Sequence, residues 1–462
     1  MIRLFRVSIP ASVLVLVLSD AVLLMTCYVL AATFALNAQL DPWFYIRYDN
    51  GWVQILFVVA IIQIGFYFMD MYDDLRIRSR ILLIHQLFLL LGIAFLVQAI
   101  LGYSKSTLLQ LPQWTMFYGS ALVLVLIPTW RVIFFSLVRR ALPDSKLLFA
   151  GMPTSAQEIT AHLAERPDMG FRVEGYLDDA REFAGAPYLG RPEDLSQAVR
   201  KVRPDVVVVD RTREIDNLQL GQQLLEVRGK GVKIESGNDL YEMVFGRVSL
   251  RDLRPAQLLW DKSGVRELNL RLQTFYSFIL AVVGLVVLSP VMILVFVAVK
   301  LTSPGPALYK QKRVGLNGRH FFLYKFRSMY IDAEARTGPV WASKNDPRIT
   351  PLGKWLRKLR LDELPQFFNV IRGDMALAGP RPERPEFCSV LETKIPFYQL
   401  RHTVKPGITG WAQINHKYTE TVEDTSTKLE YDLYYVRHLA PSLDAYIIFH
   451  TIKVMLLSRG AQ

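Results

Sequence analysis

The residues with the clearest capacity for chemistry are two adjacent carboxylates, Asp362 and Glu363, which are followed by Leu364 and Pro365. Adjacent carboxylates repel each other, so keeping both ionised favours a metal ion or nearby cations. An ionised aspartate held by cations can act as a nucleophile at phosphorus, and the neighbouring glutamate can hold Mg²⁺ across substrate phosphates. For an isolated Asp-Glu pair, a helix-capping acid with a surface partner is the commoner explanation.

The acidic pair lies where one helix is predicted to end and another to begin. Lys358 precedes Asp362 by four residues and would share its face if the first helix continued. Pro365 suits the first turn of a new helix, so Asp362 is predicted to be the N-cap of a helix over residues 363–370. A helix N-terminus favours negative charge, and it would also favour a phosphate attached there.

Basic residues occur in short blocks on both sides of the acidic pair. Lys325 and Arg327 are separated by one residue, Arg357 lies just before the pair, and Arg381 lies in a Gly-Pro-Arg-Pro sequence. Cations in such blocks suit phosphate groups, which accept charge-assisted hydrogen bonds. Attraction to an anionic membrane surface is the alternative explanation for Lys325 and Arg327.

The chain as a whole is basic, with a net charge of +12, and residues 263–462 hold 27 Lys and Arg against 16 Asp and Glu. This surplus suits nucleic acid, anionic lipid or a phosphorylated substrate. Nucleic-acid binding is the least favoured of these, because the basic residues interleave with Pro and Gly motifs beside an apolar segment. Cys27 and Cys388 have neither metal-ligand spacing nor the density of a disulfide framework, which fits a reducing compartment.

Four apolar stretches in the first third of the chain are long enough to cross a bilayer. They lie at residues 13–36, 52–69, 81–101 and 114–137. Arginines precede the first stretch, separate the second from the third, and follow the fourth, so the positive-inside rule places both ends of this bundle in the cytoplasm. The bundle is assigned to residues 1–141, and Arg131 suggests that the fourth helix ends near residues 128–130 and continues along the interface.

Residues 142–262 change to a pattern of short strands and helices. Strands are predicted at 147–150, 173–177, 206–209 and 232–234, and a helix at 158–164. The β-branched run at 206–209 is typical of a buried parallel strand, so we predict a small doubly wound, Rossmann-like α/β domain. Its first turn lacks the G-x-G-x-x-G pattern and contains Pro153, so a structural or regulatory module is favoured over dinucleotide binding.

A further apolar stretch at residues 275–299 contains Ser289 and Pro290. Proline inside a helix removes one hydrogen bond and clashes with the preceding turn, so a kink is expected there. A spanning helix would place the most basic part of the chain outside the cell, which favours a re-entrant helix that returns to the same face. Irregular backbone at membrane depth needs its polar groups satisfied, and Ser289 is a candidate for that role.

The motifs beyond residue 300, taken together and in order, resemble the bacterial sugar transferase family, the monotopic polyprenyl-phosphate sugar-phosphate transferases. The matching stretches are 303–306, 311–315, 324–329, 361–366, 369–375, 379–382 and 405–415. The resemblance runs from residue 268 to the C-terminus and implies a mainly α-helical catalytic domain over residues 263–462. The four spans and the α/β domain resemble the large, exopolysaccharide-type branch by architecture alone.

The resemblance implies transfer of a sugar-1-phosphate from a UDP-sugar to undecaprenyl phosphate, with Mg²⁺, on the cytoplasmic face of a bacterial inner membrane. Asp362 would attack the β-phosphorus, release UMP and form a covalent aspartyl phosphosugar, which the polyprenyl phosphate then attacks. Glu363 would position Mg²⁺. The residues expected to contact substrate phosphates are Arg357, Arg381, Lys325 and Arg327.

The same resemblance implies roles for four other residues. Ser289 and Pro290 match the break in the family's re-entrant helix, which would hold the catalytic domain where soluble donor and lipid acceptor both reach it. Asp432 is a candidate site residue, and a structural strut is an equal alternative. Lys417 stands where many members have arginine; it keeps the charge but loses the bidentate fork, so no sugar preference is carried over for that loop.

Other functions were weighed against this one. An inverting glycosyltransferase usually has a D-x-D metal motif, which the sequence lacks. A polytopic phosphosugar transferase would need many more spans. A non-catalytic membrane scaffold for polysaccharide assembly is the main alternative, and Asp362, Glu363 and Arg381 argue against it. The bilayer is an expected partner, and a homodimer through the bundle or the α/β domain is an expectation by fold-level analogy.

Overall fold

The structure is a computed structural model, and it describes the chain except at residues 1, 5–6, 10, 37–40, 70, 73–79, 104–107, 142–143, 152–153, 180–184, 211–217, 254–262, 332, 334–345, 417–420 and 457–462. The described helices are α1 (Ala11–Leu36), α2 (Pro42–Tyr48), α3 (Gly51–Phe68), α4 (Arg80–Tyr103), α5 (Gln113–Ala141), α6 (Ala156–Glu165), α7 (Leu195–Val202), α8 (Leu218–Gly229), α9 (Gly237–Phe245), α10 (Ser263–Thr302), α11 (Pro351–Lys358), α12 (Gln366–Arg372), α13 (Pro385–Lys394), α14 (Trp411–Asn415), α15 (Val422–His438) and α16 (Pro441–Leu456). The described strands are β1 (Ile2–Leu4), β2 (Val7–Ile9), β3 (Ser145–Ala150), β4 (Phe171–Leu177), β5 (Tyr188–Gly190), β6 (Val206–Val209), β7 (Lys233–Ser236), β8 (Leu308–Val314), β9 (His320–Phe326), β10 (Ala376–Ala378) and β11 (Gly407–Thr409).

The four apolar helices expected near the N-terminus are present as α1, α3, α4 and α5. By length and composition they are candidate membrane spans, at Ser12–Ala35, Gly51–Phe68, Leu83–Tyr103 and Gln113–Phe134. Between 28% and 39% of each span is buried inside the protein, so most of the apolar surface faces outward, as a lipid-exposed bundle requires. Together with the parallel sheet that follows, they make the chain a multi-domain membrane protein.

The prediction that the fourth helix ends near residues 128–130 is wrong. This helix continues to Ala141, and Arg131 is buried in the bundle. Its Nη2 donates to Asp20 Oδ2 at 2.7 Å, and its Nη1 donates to the carbonyl oxygen of Met71 at 2.7 Å. A buried cation is tolerated at this depth because it has an acidic partner on a neighbouring helix, so no exit to the interface is needed.

The α/β region forms a five-stranded parallel sheet with the order β5-β4-β3-β6-β7. The chain adds strands to one side of β3 and then crosses to the other side, which is the doubly wound arrangement predicted from the strand pattern. Apolar clusters fill both faces of the sheet. The four predicted strands are confirmed, and β5 is an addition that its short, polar-flanked sequence did not reveal.

The segment after α9 packs with the C-terminal domain rather than with the sheet. Val248 and Leu253 belong to the apolar core around α15 and α16. The indole Nε1 of Trp411 donates to the carbonyl oxygen of Gly246 at 2.7 Å. The chain therefore begins to contribute to the C-terminal domain before residue 262.

The long helix α10 continues through Pro290, so the expected break is not a loss of helical structure. Pro290 has no amide hydrogen and cannot bond the carbonyl oxygen of Val286, its partner four residues earlier. The hydroxyl of Ser289 donates to that same oxygen at 2.8 Å. The serine thus satisfies the carbonyl oxygen that the proline leaves unpaired.

Both ends of α10 contact the same C-terminal domain. Near the start, Gln273 Nε2 donates to the carbonyl oxygen of Ala378 at 3.3 Å. Near the end, Arg327 Nη2 donates to the carbonyl oxygen of Val299 at 3.4 Å. The helix is thereby held against β10 at one end and against the end of β9 at the other, on either side of Pro290.

Candidate active site

Asp362 and Glu363 lie on a 3-10 turn, Leu361–Glu363, between α11 and α12. The prediction that Asp362 is the N-cap of the next helix is wrong, because α12 begins at Gln366 with Pro365 as its N-cap. The first helix also ends at Lys358, so this lysine does not share a helical face with Asp362. A left-handed backbone at Arg360, with φ of 57°, reverses the chain between the two helices.

Glu363 is buried and is held by two cations. Its Oε1 accepts from Lys325 Nζ at 3.0 Å and from Arg381 Nη2 at 2.8 Å. Burial alone would raise the pKa of Glu363, but the charges of Arg381 and Lys325 outweigh burial and hold this pKa well below its usual range. Glu363 is therefore ionised at neutral pH. Its Oε2 forms no hydrogen bond with any residue that the structure describes.

Asp362 is buried beside Glu363, but its carboxylate forms no hydrogen bond or ion pair within the described residues. Burial raises the pKa of Asp362, and the charge of Glu363 raises it further. The charges of Lys325, Arg357 and Arg381 oppose that rise. The two carboxylates are thus in different states: Glu363 is fixed by cations, while Asp362 keeps its oxygen lone pairs uncommitted.

Lys325 reaches Glu363 from strand β9, which pairs with β8 in an antiparallel hairpin. Asn369 of α12 joins this strand to the helix, because its Oδ1 accepts from the amide of Tyr324 at 3.0 Å and its Nδ2 donates to the carbonyl oxygen of Phe322 at 2.7 Å. Asn369 is fully buried. The sequence analysis included it in a matching stretch without assigning it this role.

Arg381 reaches Glu363 from the turn after β10, where two glycine-containing motifs meet. A Cβ on Gly407 would lie 2.1 Å from the amide nitrogen of Gly379, and a Cβ on Gly379 would lie 2.5 Å from the carbonyl oxygen of Lys405. The amide of Gly379 donates to the carbonyl oxygen of Thr409 at 2.8 Å. Both positions therefore require glycine for the backbones to approach.

A buried ion pair supports the backbone of Arg381 from behind. Arg401 Nε donates to Asp432 Oδ2 at 3.0 Å, Nη2 forms an ion pair with the same oxygen at 2.8 Å, and both side chains are 2% exposed. Arg401 Nη2 also donates to the carbonyl oxygen of Arg381 at 2.8 Å. Asp432 thus has the contacts of a strut, the second of the two roles considered for it. Burial raises the pKa of Asp432, and Arg401 opposes that rise.

A second ionic group strengthens this support, and the sequence analysis assigned no role to its members. Glu383 forms ion pairs with Lys428 and with Arg313, the latter at 3.7 Å. Arg313 Nη1 donates to the carbonyl oxygen of Pro382 at 3.0 Å. Burial would raise the pKa of Glu383, but Lys428, with other nearby cations, lowers it to about 2. Only the position of Glu383 directly after the Gly-Pro-Arg-Pro sequence could have indicated it.

Arg327 lies apart from the acidic pair, although it is only two residues from Lys325. Its Nη2 donates to the hydroxyl of Ser303 at 2.6 Å and to the carbonyl oxygen of Ser303 at 2.8 Å. These contacts place it at the C-terminal end of α10, where a cation is favoured by the helix dipole. Its Nε and Nη1 are buried without a hydrogen-bond partner in the described chain.

Arg357 lies in the last turn of α11, close enough to interact electrostatically with Asp362. Its Nη1 is buried and has no hydrogen-bond partner among the residues described. The helix itself is capped by Thr350, whose hydroxyl accepts from the amide of Gly353 at 2.9 Å. Arg357 therefore has donor capacity beside Asp362. Lys417 lies outside the described residues.

The acidic pair offers oxygen ligands of the kind that Mg²⁺ takes at phosphate sites. No group of three His, Cys, Asp or Glu side chains that could hold a metal ion occurs within the described part of the chain. Mg²⁺ at phosphate sites typically uses one or two carboxylates, and substrate oxygens and waters complete its shell. Glu363 Oε2, which accepts no hydrogen bond within the described residues, is a carboxylate oxygen that fits this requirement.

Two family models match the chain. The model of the bacterial sugar transferase family matches residues 268–458, and that of a CoA-binding domain matches residues 67–209. The first covers the acidic pair, both cations on Glu363 and the support behind Arg381. The second covers part of the membrane bundle and the first strands of the parallel sheet.

Several named relatives are similar to the chain. A UDP-N-acetylgalactosamine-undecaprenyl-phosphate N-acetylgalactosaminephosphotransferase from Aeromonas hydrophila is 48% identical over 39% of this chain and 43% of its own length. An undecaprenyl-phosphate glucose phosphotransferase from Komagataeibacter xylinus is 35% identical over 68% of this chain and 60% of its own length. A UDP-glucose:undecaprenyl-phosphate glucose-1-phosphate transferase from Xanthomonas campestris pv. campestris is 34% identical over 68% of this chain and 67% of its own length. The match thus spans less than two thirds of the first two relatives.

Proposed function

The chain belongs to the bacterial sugar transferase family, and from this we propose that it transfers a sugar-1-phosphate from a UDP-sugar to undecaprenyl phosphate. The observation that carries the proposal is the difference between the two adjacent carboxylates. Glu363 is ionised and held by Lys325 and Arg381, whereas Asp362 is buried beside it without a hydrogen-bond partner in the described chain. A nucleophilic carboxylate needs uncommitted lone pairs, and Asp362 has them.

In the first step, a carboxylate oxygen of Asp362 attacks the β-phosphorus of the UDP-sugar. A bond forms between that oxygen and phosphorus, and the bond from phosphorus to the oxygen shared with the α-phosphate breaks. UMP leaves with that oxygen, and a sugar phosphate stays on Asp362. The nearby charges of Lys325, Arg357 and Arg381 favour the ionised form of Asp362 and stabilise the negative charge that develops on the phosphoryl oxygens.

In the second step, an oxygen of undecaprenyl phosphate attacks the same phosphorus. The bond between phosphorus and Asp362 breaks, the carboxylate is regenerated, and undecaprenyl diphosphate sugar is released. Neither step requires a proton from the protein, because attacking and leaving groups are both anionic oxygens. This agrees with a site built from cations and carboxylates.

Glu363 Oε2 would hold Mg²⁺ together with the substrate phosphates, where the ion would neutralise phosphate charge. Glu363 suits this role because Lys325 and Arg381 both bond its Oε1. The pKa of Glu363 is well below its usual range, so the carboxylate is ready to bind a cation at neutral pH.

The membrane arrangement proposed here has a re-entrant α10 and a catalytic domain on the cytoplasmic face of a bacterial inner membrane. A straight helix would separate Gln273 from Val299 by about 39 Å, yet both contact the one catalytic domain. Single cysteines at Glu267 and Leu301 test this path with a membrane-impermeant maleimide. Labelling of both only from the cytoplasmic side supports re-entry, and labelling from opposite sides contradicts it.

The donors to test first follow from the names of the relatives. N-acetylgalactosamine and glucose are the sugars named for the Aeromonas and Xanthomonas proteins. A product on undecaprenyl phosphate would suit the start of exopolysaccharide or related glycan assembly, and an exopolysaccharide production protein from Rhizobium leguminosarum bv. phaseoli is 38% identical over 42% of this chain.

The proposal is tested by incubating purified protein with Mg²⁺, undecaprenyl phosphate and a panel of UDP-sugars, and measuring UMP release. Wild type should release UMP with one or two sugars, and Asp362→Asn should release none. Omission of the lipid should limit UMP to one equivalent per enzyme. Silence of well-folded wild type across the panel would instead favour a non-catalytic scaffold.

A further inference from the structure

A buried polar cluster joins the membrane helix α10 to the turn that carries Arg381. Gln273 of α10, Tyr435 of α15 and Asp444 of α16 are each at most 1% exposed. The hydroxyl of Tyr435 lies 3.0 Å from the carbonyl oxygen of Ala378 and 2.7 Å from Asp444 Oδ1. Gln273 Nε2 lies 2.7 Å from Asp444 Oδ2 and 3.3 Å from the Ala378 oxygen.

Asp444 has no cationic partner among the described residues, and it is held by hydrogen-bond donors instead. Tyr276, one turn further along α10, donates to Asp444 Oδ2, in addition to the contacts from Gln273 and Tyr435. A buried carboxylate of this kind costs free energy unless several donors satisfy it. A buried hydrogen-bonded network rigidifies the groups that it joins, so this cluster restricts movement of Ala378 relative to α10.

The geometry that it fixes leads directly to the acidic pair. Ala378 is followed by Gly379 and Pro380, and then by Arg381, which donates to Glu363 Oε1 at 2.8 Å. The Ser277 hydroxyl, also on α10, accepts from the amide of Leu377 at 3.3 Å. The helix therefore contacts the strand before the turn at two consecutive residues, and Gly379 leaves no side chain to hold the turn by itself.

We propose that Tyr435, backed by Asp444 and Gln273, is a positioning residue that sets the place of Arg381 relative to the membrane helix through the carbonyl of Ala378. The inference rests on the proposed transferase function. It assigns a role to residues that touch neither of the two carboxylates. It also links the membrane helix α10 to the turn that carries Arg381.

Tyr435→Phe removes the hydroxyl that bridges Asp444 and Ala378, and Tyr276→Phe is its matched control. The control removes a donor to the same carboxylate without touching Ala378. We expect Tyr435→Phe to lower kcat about 10- to 100-fold, since small displacements of a positioning group have effects of that size. Tyr276→Phe should stay within about threefold of wild type, with a comparable shift in Tm.

The decisive measurement is a double-mutant cycle with Arg381→Ala, using UMP release as the readout. If Tyr435 acts through Arg381, Tyr435→Phe should lower kcat less than about threefold in the Arg381→Ala background. The full 10- to 100-fold loss in that background would overturn the inference, as would equal losses in Tyr435→Phe and Tyr276→Phe.

The variants are first checked for folding by thermal unfolding in detergent or nanodiscs. If Tyr435→Phe does not fold, Gln273→Leu replaces it in the cycle, because it loses the same carbonyl contact from the helix side. Asn269→Ala, which loses a contact to the carbonyl oxygen of Leu439, is then the control. A silent wild type would overturn the proposed function, whereas an active wild type with an equally active Tyr435→Phe would overturn only this inference.

Discussion

Two clusters of buried charge lie on either side of the Arg381 turn, and they differ in what they leave unpaired. In front, Glu363 is bound by Lys325 and Arg381 through a single oxygen, and Asp362 has no hydrogen-bond partner in the described chain. Behind, Arg401 distributes its nitrogens over Asp432, the Tyr398 hydroxyl and the Arg381 carbonyl.

The difference shows how similar residue types perform different tasks. A cluster in which every charged side chain is paired holds a backbone in place. A cluster with spare oxygens and spare donors can bind a charged substrate, at a cost in folding free energy while it is empty. The rear cluster thus holds the backbone of Arg381 in place, and the side chain of Arg381 is thereby positioned to bond Glu363 in the front cluster.

The largest expected effect is on activity and comes from the front cluster. Asp362→Asn should reduce UMP release at least about 10⁴-fold, because it removes the attacking oxygen. The same change should leave Tm unchanged or raise it, since it removes a buried charge beside Glu363. A variant that loses activity together with its cooperative unfolding would show a structural role instead.

The next effect in size comes from Glu363→Gln, which leaves Lys325 and Arg381 without their shared carboxylate. Activity should fall about 10²- to 10⁴-fold, because both the proposed Mg²⁺ ligand and the anchor for two cations are lost. Stability should also fall, by roughly 3 kcal/mol, as expected when one member of a buried ion pair is removed. Urea unfolding and UMP release on the same preparation measure both.

In the rear cluster, a substitution should lower stability more than it lowers activity. Arg401→Met leaves Asp432 buried and unpaired, so the free energy of unfolding should fall by about 3–5 kcal/mol. At a temperature where the variant is folded, its turnover should fall about tenfold, because Arg401 also bonds the carbonyl oxygen of Arg381. Adding Asp432→Asn should restore part of the stability, because it removes the unpaired charge. A double variant as unstable as Arg401→Met would contradict the structural role of the ion pair between Arg401 and Asp432.

The dependence on pH separates the two carboxylates of the front cluster. The pKa of Asp362 is raised by burial and by Glu363, so the carboxylate, and with it kcat/KM, should decline with falling pH already above the usual range of an aspartate. Glu363→Gln removes one cause of that rise, so the acidic limb of its residual activity should move to lower pH. If the acidic limb of the profile does not move in Glu363→Gln, the group that titrates in this limb is not Asp362.

The pKa shift of Glu363 has the opposite sign to that of Asp362, and it makes stability depend on pH. The pKa of Glu363 is lower in the folded chain than in the unfolded one. Its contribution to stability is therefore present above the unfolded pKa and is lost as pH falls through the folded pKa. Glu363→Gln should flatten this acid-side dependence in urea unfolding measured from pH 7 downward.

The smallest effect is expected at Arg327. Arg327→Lys keeps the charge near the carbonyl oxygens of α10, so turnover should change less than about threefold. Lys325→Met, two residues away, should lower turnover by at least about 10²-fold, because it removes a cation from Glu363. Comparable losses in the two variants would show that Arg327 also serves the substrate.

The sequence predicted most elements of the fold, because their signals are local. Apolar length is enough for the four helices of the bundle, and β-branched runs are enough for the strands around β3. The burial of Arg131 could not be predicted from local sequence. Its burial depends on Asp20, which is far away in sequence and adjacent only after the helices pack.

The site divides in the same way. The Asp-Glu pair and its cations were singled out by residue type together with the family resemblance. Lys325 and Arg381 were expected to contact substrate phosphates, and the structure shows both of them bonded to Glu363. The position of Asp362 in a 3-10 turn was missed, because Pro365 fits the first turn of a helix and the N-cap position equally well. The contacts of Arg327 were missed because it lies directly after β9, where the alternation of a strand no longer fixes the partner of a side chain.

The central claim is that Asp362 attacks the phosphorus, and one measurement tests it most directly. Wild type is incubated with Mg²⁺ and the active UDP-sugar, labelled at the β-phosphorus, without undecaprenyl phosphate, and the protein is then digested for mass spectrometry. We predict one equivalent of UMP and a sugar phosphate on Asp362 that is discharged when the lipid is added. Full turnover with lipid, but no label on the protein and no UMP without it, would contradict the account.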